Sequence, residues 1–183
     1  MNFYKKLEVL NLKKLQEELL ALVPSELLEN PRVHFPKEQD CFFKIKELCD
    51  LLDRFNIPHD KTTVGYFICG SHTTIPIHID FGDTAYSLNI PLKNCDNTTT
   101  QFYSTDRDPV LVQARTHNGV SYHPHYSFNG IKTTVIEEFE ANFACIMHIK
   151  TPHNVINNTG NIRINALIRY SDNDHMKSIF ESL

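Results

Sequence analysis

"TTVGYFICGSHTTIPIHIDF", residues 62–81, is where the chain changes character. Its two runs, TTVGYFICG (62–70) and TTIPIHIDF (73–81), are crowded with β-branched and aromatic residues, the composition that suits a pleated, half-buried surface. Six further runs of the same kind follow: AYSLNIPLK (85–93), TTTQFYS (98–104), PVLVQAR (109–115), KTTVIEEFEA (132–141), FACIMHIK (143–150) and IRINALIRY (162–170). Turn-forming FGD, KNCDN, DRD, HNG, FNG and NNTGN separate several of them. Eight short strands without helices between them predict a sandwich or jelly roll, not a parallel α/β sheet.

Upstream of residue 60 the period is helical. Leu12, Leu15, Leu19 and Leu22 recur at spacings of three and four behind a capping Asn11, with Pro24 beyond. Cys41, Ile45, Leu48, Leu52 and Phe55 form a second stripe. Residues 3–10 read as a short strand. The expectation is a single domain over residues 1–183: a helical N-terminal extension over 1–60, packed on a β core over 60–170.

Composition narrows the function classes. Hydrophobic residues at 41% over 183 residues suffice for a core without staples. A net charge of −4 gives no reason to expect nucleic acid. No apolar run approaches the ~18 residues of a membrane span, and "MNFYKKLEVL" has charges where a signal peptide needs its apolar centre. Five scattered cysteines without a CxxC pair argue against a disulfide framework and a zinc knuckle, and favour a reducing, cytoplasmic location.

The chemistry resides in "IPIHID" (75–80) and "TPHNVINNTGNIRINAL" (151–167). On an extended strand, residues two apart share a face, so His78 and Asp80 aim together, with Ile77, Ile79 and Phe81 on the other side. One imidazole and one carboxylate make a weak site, and His153, near the end of a later strand, is the natural third ligand. Two histidines and a carboxylate leave three positions of an octahedral ion open, the pattern of non-haem Fe(II) oxygenases. Arg163, ten positions after His153 and across a turn, offers a guanidinium fork for the far carboxylate of a chelating cosubstrate. Asn165 shares its face.

Taken together, "PIHID" and the distal "HxVxN…R" at His153, Val155, Asn157 and Arg163 resemble the HxD…H…R signature of Fe(II)/2-oxoglutarate-dependent oxygenases. "SLNIPLKN" (87–94) and "TTQFY" (99–103) look like the middle strands of the aspartyl/asparaginyl and prolyl hydroxylase branches. The resemblance spans residues 60–170 and departs at Asn165, where several branches carry serine. It implies a double-stranded β-helix (a cupin-like jelly roll) with N-terminal α-helices. It also implies Fe(II) on His78, Asp80 and His153, and 2-oxoglutarate on Arg163 with Asn165 and Asn89. O₂ would be the second cosubstrate and hydroxylation of a peptidyl or free amino-acid side chain the reaction. The competing reading is a cupin-like β-roll that binds metal or ligand without oxygenase turnover.

Other polar residues have plainer readings. His123 and His125 in "SYHPHYSF" (121–128) read as an aromatic loop near the entrance, or as a second metal pair. His148 cannot share a strand face with His153, because five residues separate them. His72 and Asp83 flank the HxD segment as rival ligands. Tyr66 reads as β core, or as a hydrogen-bond partner of the cosubstrate.

Overall fold

The computed structural model describes residues 3–25, 33–36, 39–59, 63–80, 82–112, 115–117, 120–122 and 125–183. In chain order the elements are β1 (Tyr4–Lys6), α1 (Leu12–Ala21), β2 (Val33–His34), a 3₁₀ turn (Phe42–Lys44), α2 (Lys46–Arg54), β3 (Thr63–Cys69), β4 (Thr73–His78), β5 (Thr84–Lys93) and β6 (Thr98–Thr105). They continue as β7 (Val110–Val112), β8 (Arg115–His117), β9 (Val120–Tyr122), β10 (His125–Ser127), β11 (Thr133–Glu140), β12 (Cys145–His148), β13 (His153–Asn157), β14 (Arg163–Ser171) and α3 (Asp174–Ser182).

One sheet has the order β1-β12-β5-β14-β3-β2, and a second the order β11-β6-β13-β4. Every pairing is antiparallel. Set side by side, the central four strands of the first sheet, β12-β5-β14-β3, match the second sheet strand for strand by their neighbours in sequence. The chain winds back and forth between two sheets, which is a double-stranded β-helix, the jelly roll expected.

The outer face of the larger sheet explains the leucine stripes. Leu88 and Ile90 of β5, Ile68 of β3 and Ile164, Ala166 and Ile168 of β14 are buried in one cluster with Leu15 and Leu19 of α1 and Leu48, Leu51 and Leu52 of α2. Each such leucine, fully withdrawn from water, contributes roughly 1.5–3 kcal/mol. Tyr66 points to this side and donates its hydroxyl to the Leu19 carbonyl at 3.1 Å, so it is core. At α3, Asn173 accepts from the Met176 amide at 2.8 Å, a cap bond absent from Asn11 at α1.

The fold departs from the sequence reading in three places. The second stripe is not one helix: Ile45 is extended (ψ 110) and separates the 3₁₀ turn from α2. A continuous helix would swing Phe42 about 100° away from Cys41 and out of the stripe; the break lets Phe42 bury fully against Tyr66, ring centres 5.7 Å apart. The first 60 residues supply not only β1, within the short strand expected at residues 3–10, but also β2 to the larger sheet. Among the described residues, PVLVQAR supplies the short β7, paired with β10 in a separate ribbon, and Arg115, the first residue of β8, paired with β9. The eighth barrel strand is β13, the strand expected to carry His153 but not one of the eight β-rich runs.

Candidate metal centre

His78 ends β4, and the register there is not regular. His153 of β13 stands opposite His78, yet Val155, two residues on, stands opposite Ile75, three residues back. One extra residue is therefore accommodated in β4. Residues opposite one another share a face, as do His153 and Val155, so Ile75 and His78 share a face although an odd number separates them. The bulge resets the alternation and turns His78 inward.

Asp80 lies beyond the end of β4, so its position does not follow from strand alternation, as the sequence reading had it. Phe81, expected on the opposite side, lies outside the described residues. Contacts from β12 and its following turn fix the aspartate instead. The Asp80 amide donates to the Ile149 carbonyl at 3.3 Å, and Lys150 Nζ donates to the carbonyls of Asp80 (2.9 Å) and Gly82 (2.6 Å). Asp80 Oδ1 then lies 3.8 Å from His78 Nε2, while Oδ2 is held by Arg169 at 3.0 Å. The two oxygens have separate tasks, one facing the histidines and one tied to a guanidinium.

His153 opens β13, whereas the sequence placed it near a strand's end. It is 4% exposed, and its ring centre is 4.4 Å from that of His78. Both imidazoles are oriented alike. His78 Nδ1 lies 2.8 Å from the Pro76 carbonyl and His153 Nδ1 2.8 Å from the Thr151 carbonyl. A carbonyl oxygen only accepts, so each Nδ1 carries hydrogen and leaves Nε2 as the ring atom able to offer a lone pair, the arrangement that outer partners impose on metal-bound histidines. Burial, and then the neighbouring His78, lowers the His153 pKa to about 4. Ligand atoms of His78, Asp80 and His153 lie within 4.8 Å of one another, close enough to share one ion.

The other end of the site is built by the turn after β13. Asn157 Nδ2 donates to the carbonyls of Gly70 (2.7 Å) and Asn161 (2.8 Å), and its Oδ1 accepts from the Thr159 amide (3.1 Å) and hydroxyl (2.8 Å). This closes the turn and starts β14 at Arg163. Arg163 is 3% exposed, and its Nε and one terminal nitrogen have no hydrogen-bond partner. Its guanidinium stands 5.8 Å from the Phe67 ring centre. An unpaired buried charge is costly, and a carboxylate is the group that relieves it. Cys145 faces the same space, but burial pushes its thiol up to about 12, so it is neutral at ordinary pH.

Between the two ends, Asn165 donates to Asn89 Oδ1 at 3.0 Å, and Asn89 donates to the Ser87 carbonyl at 3.0 Å. All the residues named from sequence for metal or cosubstrate, His78, Asp80, His153, Arg163, Asn165 and Asn89, line one cavity of about 630 Å³, its open mouth included. Arg169 lines it too and was missed, although a signal existed: it stands six residues after Arg163 on one strand, an even separation that puts both on one face. Phe35 lies 5.5 Å from the Arg169 guanidinium. Only glycine fits at position 65, because a Cβ there would lie 2.6 Å from both the His34 carbonyl oxygen and the Phe35 ring.

The rival candidates fall elsewhere. His72 is exposed in the turn between β3 and β4, and Asp83 is exposed before β5. His148 points to the outer side, toward Tyr86 and Phe180. His125 is exposed on β10 and, among the described residues, is not part of the three-ligand group. His123 lies outside the described residues.

No family model matches the sequence, and no curated protein matches it. Among solved structures, the chain is similar to a prolyl-4-hydroxylase from Pseudomonas putida, at 13% identity over 94% of this chain and 89% of that one, with a TM-score of 0.49. It is also similar to the viral collagen prolyl hydroxylase of Paramecium Bursaria Chlorella virus-1 in its 2OG complex, at 14% identity over 93% and 97%, with a TM-score of 0.47.

Proposed function

We propose that this chain is an Fe(II)- and 2-oxoglutarate-dependent dioxygenase that hydroxylates a C–H bond of a peptidyl or free amino-acid side chain. One observation carries the reading. A two-histidine, one-carboxylate cluster and a buried guanidinium without an anionic partner line the same cavity. The donor set fits iron(II), since nitrogen and oxygen ligands on one side of the ion leave positions for a chelating cosubstrate and O₂. The vacant nitrogens of Arg163 fit a carboxylate in a forked pair.

When bound, iron(II) with 2-oxoglutarate and O₂ supplies oxidative decarboxylation to succinate and CO₂, coupled to placing one oxygen atom in a substrate C–H bond. The protein supplies position. His78 and His153 offer Nε2, because Nδ1 of each is committed to a backbone carbonyl. Asp80 offers Oδ1, because Arg169 holds Oδ2 and prevents the carboxylate from turning. Arg163 would take the distal carboxylate, with Asn165 and Asn89 along its length. Phe67, Met147, Ile149 and Leu167 line the cavity between and keep bulk water from it. Cys49, Cys69, Cys95 and Cys145 are thiols, which suits the reducing cytoplasm in which we place the protein.

The test is succinate formation from 2-oxoglutarate with Fe(II), O₂ and a library of amino acids and peptides. His78→Ala and Asp80→Ala should each abolish it. Undiminished succinate in both variants would remove the assignment. Metal and 2-oxoglutarate binding without turnover on any substrate would favour the binding β-roll.

A further inference from the structure

A second cavity, of about 850 Å³ with its mouth included, lies on the other side of β12 from the metal centre. Met147 faces the metal cavity, and His148, next to it in the strand, faces the second. Three of the walls are rings: Tyr86 stands 5.4 Å from His148 and 5.5 Å from Phe180. Lys5 and Lys177 line it, and neither enters an ion pair among the described residues; Lys5 Nζ is 6.0 Å from the centre of the Phe180 ring. One carboxylate, Glu181, lines it as well.

Thr151 joins the cavity to the metal centre. Thr151 lines the cavity, and its hydroxyl is 3.1 Å from His148 Nδ1, while its carbonyl accepts from His153 Nδ1 at 2.8 Å. Whatever moves Thr151 moves the group that orients one of the three ligands.

We propose that this cavity binds a small planar aromatic carboxylate, and that its occupancy reaches His153 through Thr151. Ring walls offer offset and edge-on stacking to a flat apolar body. Two unpaired ammonium groups select one negative charge and repel an aromatic amine, and Glu181 disfavours a second negative charge. The proposal does not depend on the dioxygenase reading, since binding here requires neither metal nor turnover.

The experiment is amide-resolved NMR of the full-length, metal-free protein titrated with phenylacetate, benzyl alcohol and benzylamine. Phenylacetate should shift the amides of 148–151 and 177–181 together with the His153 amide, and the other two probes should bind at least tenfold more weakly. Replacing both surface lysines (Lys5→Gln with Lys177→Gln) should cost about tenfold or more in phenylacetate affinity, and the same spectra report whether that variant is folded. Equal binding of the three probes, unchanged affinity in the lysine variant, or shifts confined to residues around Arg163 would overturn the site. Shifts in the second cavity that leave His153 unmoved would overturn the coupling.

Discussion

The two faces of β5 and β14 are made from alternate residues of the same strands, and they differ in almost every respect. Outward, Leu88, Ile90, Ile164, Ala166 and Ile168 pack under helices. The Tyr66 hydroxyl on that side finds a helix carbonyl, and the Tyr170 hydroxyl is the exception without a partner. Inward, Ser87, Asn89, Arg163, Asn165 and Arg169 line a cavity, and nitrogens of both arginines lack partners. A face that serves stability closes its polar accounts. A face that keeps buried donors open gives up stability and is complementary to something else. The contrast separates scaffold from site without reference to any other protein.

The comparison can be broken most severely at the inward ligands. His153→Ala removes a nitrogen from the metal centre and touches nothing on the outward face; metal-dependent succinate formation should vanish while circular dichroism still shows a β protein. If activity survives, His153 does not hold the metal. Next comes the outward face. Ile168→Ala should cost about 2–5 kcal/mol in denaturant unfolding, and the fraction that remains folded should bind metal normally.

Arg163→Met tests the inward face. Wild-type protein with a redox-silent metal should gain about 2.7 kcal/mol of stability when 2-oxoglutarate is supplied at about 100 times its Kd. The variant should lose that gain, yet without cosubstrate it should be no less stable than wild type, because an unpaired buried charge has gone. Loss of stability without cosubstrate would make Arg163 a folding residue. The smallest effect is one of pH. His153 titrates near 4 in the folded chain against an ordinary 6.5, so the unfolded chain binds the extra proton first as the pH falls. Its contribution is complete above about 6.5 and declines from there down to about 4. In the metal-free protein, His153→Gln should flatten the fall of the unfolding midpoint across that window.

Much of this was legible in the sequence for definite reasons. Alternation along IRINALIRY separates Arg163 and Asn165 from Ile164 and Ala166, and that division holds in β14. The leucine stripes place α1 and most of α2. What misled was local. PVLVQAR has better strand chemistry than HNVIN, yet HNVIN forms the barrel strand, because two neighbours hydrogen-bond it while its side chains are spent on His153 and on the Asn157 turn. Cys41 to Phe55 has a helical period, but the room beside Tyr66 for Phe42 outweighs it.

By itself, the order of residues determined the β character that follows residue 63, the helical stripes before it, and the chemical types of the side chains we propose for a metal and a dicarboxylate, because these follow from period and chemical type. That Asp80 reaches His78 from a loop, that a bulge turns His78 inward, and that Arg169 fixes one carboxylate oxygen were decided only by tertiary structure. Each depends on a partner strand or residue from 69 to 89 positions away, and local alternation carries no information about what the opposite strand will bring.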